Sequence, residues 1–438
     1  MPRPFDREIA RLALPALVML LAEPTYLLVD TAVVGHLGTD QLGALAVAST
    51  ILLTVSSLCI FLAYGTTASV ARLLGAGDRR GAADDAVQGL WLALVVGVVL
   101  AISMVAATEP LVQLIGADGP SLPYAATYLR ISAIGLPALL VMFAGTGYLR
   151  GLQHTRAPMV IAVTTALLNV ALDLLLIPGL GFGIGASALA TVIAQVLGAV
   201  AYVTLVLRGA RSQGARFRPQ WMEQRRLVKV GADLALRTSA LRLSLVLITV
   251  VASRIGPIEL AAHQVAFEIW AFLAMGHDAL AIAAQSMIGL RLGAGDRAGA
   301  RTVGVRLLQL GLLASVATAV LVVVLIPVLP RLFTSDPDVI ALIGFLLIWV
   351  AVLQPLGALA FALDGILIGA GDQRFLAWAM LGAAVVFAVA VAPVLPLGLG
   401  IGWLWAAFGV LMATRVLVLA ARFRGDRWLV TGARTRAM

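Results

Sequence analysis

The sequence predicts an all-α membrane protein, with twelve transmembrane helices in two six-helix bundles related by pseudo-twofold symmetry. Three observations carry this reading. Apolar runs recur along all 438 residues, 61% of which are hydrophobic and only 12% charged. The basic residues gather in alternate loops. The second half of the chain also repeats the first at a fixed offset, the one that carries Leu74 onto Leu292.

A helix needs about 20 mostly apolar residues to cross the hydrocarbon core. The runs that meet this are 11–35, 46–70, 86–107, 124–147, 157–178, 186–207, 228–253, 260–290, 303–327, 339–366, 375–395 and 401–421. The alternating ten-residue segments of a membrane β-barrel are absent. The first run is too long for a signal peptide and lacks a small-residue cleavage site. An even number of spans puts both termini on one side, and the Arg and Lys residues choose which. Loops on the terminal side, with the two ends and the span turns that adjoin them (Arg11, Lys229, Arg306 and Arg415), hold 26 of the 31 basic residues, against only Arg254 and Arg331 opposite. Arg130, Arg237 and Arg242 fall inside spans. Both termini are therefore expected in the cytoplasm, in a bacterial inner membrane.

The +9 formal charge is then loop charge, and no nucleic-acid partner is expected. Cys59 is the single cysteine, so disulfides are excluded and a metal site is not expected. No catalytic triad or metal-ligand cluster is present, so the chain does not read as an enzyme.

The repeat is explicit in two turns, Leu74-Gly-Ala-Gly-Asp-Arg79 and Leu292-Gly-Ala-Gly-Asp-Arg297. These turns lack the Lys-Ser/Thr of a phosphate loop and lie between spans, which argues against nucleotide binding. The same offset pairs Gly147–Gly151 with Gly365–Gly369, and His36-Leu-Gly38 with Arg254-Ile-Gly256. Six spans per copy give both copies the same orientation. The expected organisation is an N-terminal bundle (1–207), an arginine-rich linker (208–227), a C-terminal bundle (228–421) and a basic tail (422–438). Substrate sites in such repeats lie near the midplane. Polar residues present in one copy only are the ones to examine.

The first span carries Pro15, Glu23, Tyr26 and Asp30. A charge at the centre of a spanning helix costs roughly 2.5–3.5 kcal/mol, so such residues are functional candidates. Glu23 and Asp30 are seven residues apart, on one stripe, and Pro15 allows a bend. The fifth span carries Asn169 and Asp173, four apart on one face, and the sixth carries Thr191 and Gln195 likewise. At a rise of about 1.5 Å per residue, Asp30 and these four residues all fall in the outer half of the membrane and can share one pocket. At the repeat offset Asp30 meets Ile248 and Asn169 meets Phe387, so the N-terminal bundle is chemically distinct. Two carboxylates in one pocket repel when both are ionised and titrate as a coupled pair, which suits proton coupling. The same oxygens could hold Na⁺. In the C-terminal bundle Glu268, His277 and Asp278 lie on the eighth span and Asp364 on the tenth. Arg237 and Arg242 are candidate counter-charges, and His277 a candidate proton shuttle.

Several local patterns together resemble the MATE (multidrug and toxic compound extrusion) family of transporters over residues 8 to 421. These are Val29-Asp30-Thr31 on a proline-bearing first helix, the two Gly-Ala-Gly-Asp turns, Ala261-Ala-His-Gln-Val-Ala266 and Asp364-Gly365. Arg237-Thr238 and Asp278 with Ala281–Gln285 after it look like the DinF branch. The resemblance implies export of cationic or amphipathic organic compounds by a monomer in the lipid bilayer, in exchange for protons and without a cofactor. It further implies a cation site of Asp30, Asn169, Asp173 and Thr191, a helix bend at Pro15, and release triggered by protonation of Asp30 during alternating access. Glu23, Tyr26, Gln195, Glu268, Asp278 and Asp364 are accessory candidates. The NorM branch pairs its helix 10 aspartate with a helix 7 glutamate, which this chain lacks. The C-lobe cation site of that branch does not carry over. Na⁺ coupling, and a lipid-linked precursor flippase of the same superfamily, are the alternatives.

The expected topology has a direct test. In a Cys59→Ser background, a cysteine at Gln213 should react with a membrane-impermeant maleimide only in opened cells, whereas one at Asp118 should react in intact cells. Labelling of Gln213→Cys from outside would overturn the orientation.

Overall fold

The computed structural model describes residues 5–433. It has twelve membrane-length helical units: α1 (Asp6–Gly35), α2 (Thr39–Gly75), α3 (Arg79–Ala106), α4 (Ser121–Ile134 plus Leu136–Gly151), α5 (Arg156–Gly179), α6 (Ile184–Ser212), α7 (Trp221–Ile255), α8 (Pro257–Gly293), α9 (Arg297–Leu325), α10 (Pro337–Gly369), α11 (Gln373–Val391) and α12 (Gly400–Arg424). The described residues contain no strand. All twelve predicted spans are found, so this is a multi-pass helical membrane protein. Most helices overrun the apolar runs, by as much as two turns, because a helix continues past the hydrocarbon core until a cap or a glycine stops it. α9 and α11 instead stop short of the predicted ends at 327 and 395. Pro327 and Pro393 supply no N–H and disfavour helix in the residue before them.

The contact pattern divides the chain into two compact units. One runs from Leu14 to Gly231; the other holds Ala232 onward with the start of α1 up to Ala13. The boundary within α1 falls just before Pro15. α1 is one continuous helix through Pro15 and Pro24. Breaks in the regular α-helical pattern occur elsewhere. α4 turns by 46° between Ile134 and Leu136, where Gly135 precedes Pro137. The last turn of α5, Leu175–Gly179, widens to a π-helix around Pro178.

The two Gly-Ala-Gly-Asp turns cap helices. Gly77 and Gly295 adopt φ of 79° and 82°, closing α2 and α8 in the left-handed conformation that glycine tolerates. Asp78 and Asp296 then accept from the N–H of Gly81 and Gly299, each at 2.7 Å, as N-caps of α3 and α9. The linker helices also run further than expected, leaving only 213–220 non-helical. That stretch is pinned to α3, where Trp91 Nε1 donates to Phe217 O at 2.9 Å and Gln88 Nε2 to Arg218 O at 3.0 Å. Beyond α12, Trp428 Nε1 donates to Phe423 O at 2.9 Å and Gly432 N to Leu292 O at 3.0 Å. The described part of the tail is thus folded against the α8–α9 turn.

The paired glycines of the repeat make one helix crossing in each unit. A Cβ at Gly147 on α4 would lie 2.6 Å from the Ala63 carbonyl oxygen of α2. A Cβ at Gly365 on α10 would run into the carbonyl of Ala281 on α8 and lie 2.7 Å from its Cα. Such close backbone approach is how membrane helices gain packing without a hydrophobic drive between them. Gly147→Ala and Gly365→Ala should each destabilise by about 1–3 kcal/mol through overpacking, seen as a lowered thermal midpoint in detergent. Gly382→Ala, with no neighbour within 4 Å of its Cβ position, should leave the midpoint unchanged or raise it.

Candidate coupling site

Membrane helices bury polar side chains only where partners await them, and the N-terminal bundle gathers a set of them. Asp30 on α1, Asn169 and Asp173 on α5 are all buried, and Thr191 on α6 is half-buried. Ser187 Oγ on α6 donates to Asp30 Oδ1 in a short hydrogen bond. Asn169, with its amide oriented to satisfy both neighbours, donates to Asp173 Oδ2 at 3.2 Å and accepts from Thr191 Oγ1 at 3.0 Å. The buried Tyr128 of α4 lies in electrostatic reach of Asp30 and Asp173 and in hydrogen-bond reach of Ser187 and Thr191. Asp173 Oδ1 is buried and has no hydrogen-bond partner among the described residues. The site therefore holds two carboxylates, an amide, hydroxyls and one carboxylate oxygen without a donor.

Three elements position this set. The widened turn at Leu175–Gly179 begins two residues beyond Asp173, and π-turns of this kind occur often at functional sites. Ser187 and Thr191 are four residues apart, on one face of α6. Asp30 sits late in α1, little more than one turn before the helix ends at Gly35.

The repeat isolates what is special here. At the offset that carries Leu74 onto Leu292, Asp30, Asn169, Asp173 and Ser187 correspond to Ile248, Phe387, Val391 and Trp405, all buried in the apolar core of the second unit. None of these four positions in the second unit carries a carboxylate, an amide or a hydroxyl, although the buried His263 packs on Trp405 there. The polar cluster is not a requirement of the bundle.

Among the accessory candidates, Tyr26 is half-buried and within electrostatic reach of Glu23, Asp30 and Asp173. Glu23 is largely exposed. Gln195 departs from the expected pocket: its Oε1 packs against Gly135 at the break in α4, two turns beyond Ser187 along α6. In the C-terminal bundle Asp364 is buried and receives Arg237 Nη2 at 2.5 Å and Arg415 Nη2 at 2.6 Å. Arg242 is exposed on α7 and makes no ion pair with Asp364. The second counter-charge is Arg415, on α12. His277 is buried, with Nε2 2.9 Å from Gln354 Oε1. Asp278 is half-buried and Glu268 exposed. Ser187, Tyr128 and Arg415 were missed from the sequence. The i, i+4, i+8 run Ser187, Thr191, Gln195 could have revealed the first, whereas nothing in the chain singles out Tyr128.

The MatE sequence family matches residues 15–175 and 235–394, one match in each half. The chain is 35% identical to Protein DETOXIFICATION 44, chloroplastic, of Arabidopsis thaliana, over 95% of its own length and 81% of that relative. It is 32% identical to DNA damage-inducible protein F of Escherichia coli, over 96% and 92% of the two chains. Among solved structures, a MATE protein in the bent conformation superposes with a TM-score of 0.87 at 22% identity, covering 96% of this chain and 94% of that one. Family matches in both halves and relatives matched along nearly the full length agree with the twelve-helix fold, and the chain belongs to the MatE family of multidrug and toxic compound efflux transporters.

Proposed function

We propose that the chain exports cationic or amphipathic organic compounds across a bacterial cytoplasmic membrane in exchange for protons, with both termini inside. One relative, from Chromobacterium violaceum, is named probable multidrug resistance protein NorM and is 30% identical over 80% of this chain. The observation that carries the coupling assignment is the donor-less Asp173 Oδ1 beside Asp30, in positions where the repeat needs only apolar side chains. An ionised carboxylate oxygen buried without a donor is costly. A proton on Asp173 Oδ1 relieves that cost, while Ser187 and Asn169 each hold one other oxygen of the pair. Asp30 is the residue we assign to respond to the outer proton, and a proton drives transport only if it binds one conformation better than the other.

Na⁺ is the second reading. Carboxylate, amide and hydroxyl oxygens from Asp30, Asn169, Asp173 and Thr191 are donors of the type a hard cation takes, and the unsatisfied Asp173 oxygen would fit it equally. The flippase reading draws less support, because Arg237 is tied to the Asp364 carboxylate that it shares with Arg415, while Arg242 is exposed on α7 rather than joined with it in a cationic cavity.

In proteoliposomes carrying a pH gradient, adding a cationic dye should release protons through the wild type. Asp30→Asn and Asp173→Asn should lower that flux by at least tenfold at equal incorporation. Flux that persists in Asp30→Asn would overturn the assignment, and transport that requires Na⁺ at constant pH would select the second reading.

Asp364→Asn should act differently. It leaves two buried arginines without their shared carboxylate, a loss of about 3–5 kcal/mol for a broken buried pair. The expected outcome is a lowered thermal midpoint and low expression, with any surviving protein retaining proton coupling.

A further inference from the structure

A further feature lies in the unit that holds the C-terminal bundle, where α8 turns into α9. There a cavity of about 740 Å³ is lined by Phe5, Arg297, Arg301, Val305, Arg306 and Leu429, among others. Three arginines from the first turns of one helix leave the site basic. Arg306 is held by Asp6, with Nε to Oδ1 at 2.6 Å and Nη2 to Oδ2 at 2.7 Å, and by Gln309 Oε1 at 3.1 Å. Arg301 is spread over the carbonyls of Phe423, Arg424 and Gly425 and the exposed Asp426. Arg297 is exposed, and no ion pair to it occurs among the described residues. Its guanidinium is available, at the mouth of a cavity whose other arginines are already fixed in place.

The cavity opens onto an apolar track. Val305, Leu312, Val316 and Val320 lie on one face of α9 and all four are exposed; Gln309, which falls between the first two, is tied to Arg306. An exposed apolar face on a membrane helix faces lipid tails. At a rise of about 1.5 Å per residue, the track runs from the arginines well into the hydrocarbon region. A ligand that fits both parts has a phosphate at one end and an acyl chain at the other. Basic pockets at the ends of membrane helices take anionic headgroups, and each charge near the surface contributes on the order of 1 kcal/mol.

We propose that this cavity binds an anionic phospholipid, its phosphate on Arg297 and one acyl chain along Val305, Leu312 and Val316. The occupant is a lipid rather than free phosphate because the apolar track would have no role for an inorganic ion. The site adjoins the contacts that hold the start of α1, since Phe5 and Arg306 contribute to both.

Native mass spectrometry of the full chain in detergent tests this, with phosphatidylglycerol and phosphatidylcholine as probes. Wild type should retain one phosphatidylglycerol at least five-fold more strongly than phosphatidylcholine, the ratio that about 1 kcal/mol represents. Arg297→Glu should abolish the preference with the thermal midpoint unchanged. Val305→Trp, which fills the cavity at the track, should weaken retention of both lipids. Equal retention of the two lipids by wild type, or an unaltered preference in Arg297→Glu, overturns the proposal. Displacement of phosphatidylglycerol by millimolar inorganic phosphate also overturns it, since the site would then read a free anion. Should Arg297→Glu fail to fold, Arg297→Gln replaces it with the same two outcomes.

Discussion

The hydrocarbon core offers no water, so every polar group placed there must find its partner inside the protein. That constraint arranges most of what is chemically interesting in this chain. Asp364 answers it with two arginines from different helices, and His277 with Gln354. Asp30 answers it with Ser187. Asp173 answers it only in part: one oxygen takes the Asn169 amide while the other has no donor. An incompletely satisfied buried carboxylate is a place where a proton or a hard cation changes the energy most, and this separates Asp173 from the buried carboxylate of the C-terminal bundle. Asp364 is held by two opposite charges. Asp173 is held by a neutral amide.

The same constraint explains the backbone. Helices that cannot use the hydrophobic effect against one another pack through small residues, and the Gly147–Ala63 and Gly365–Ala281 crossings repeat that solution in both units. Where the helices do break, prolines mark the place: Pro137 follows the bend in α4 and Pro178 sits in the widened turn of α5. Both breaks flank the polar cluster, since Tyr128 precedes the first and Asp173 the second. Pro15, by contrast, lies within continuous helix where α1 passes from one compact unit to the other.

Gene duplication supplies an internal control. The C-terminal bundle repeats the helices, the capped Gly-Ala-Gly-Asp turn and the glycine crossing. It carries Ile248, Phe387, Val391 and Trp405 where the first bundle carries Asp30, Asn169, Asp173 and Ser187. The difference between the copies shows which polar side chains the shared architecture does not require.

The sequence by itself determined the twelve spans, the repeat and the family, because these depend on local quantities: run length, charge placement and short motifs at fixed spacing. Helical spacing and depth along the axis, which are properties of a single helix, also put Asp30, Asn169, Asp173, Thr191 and Gln195 at one level, and the family resemblance narrowed these to the first four. Tertiary structure alone decided which neighbour each polar group meets. Tyr128 enters the site because the segment of α4 before its bend packs there, and Gln195 leaves it because Gly135 opens a space beside it. Asp364 chooses Arg415 over Arg242, since Arg415 points into the bundle from α12 while Arg242 faces outward from α7. Rotation of one helix against another sets these partnerships, and no local pattern in the chain records it.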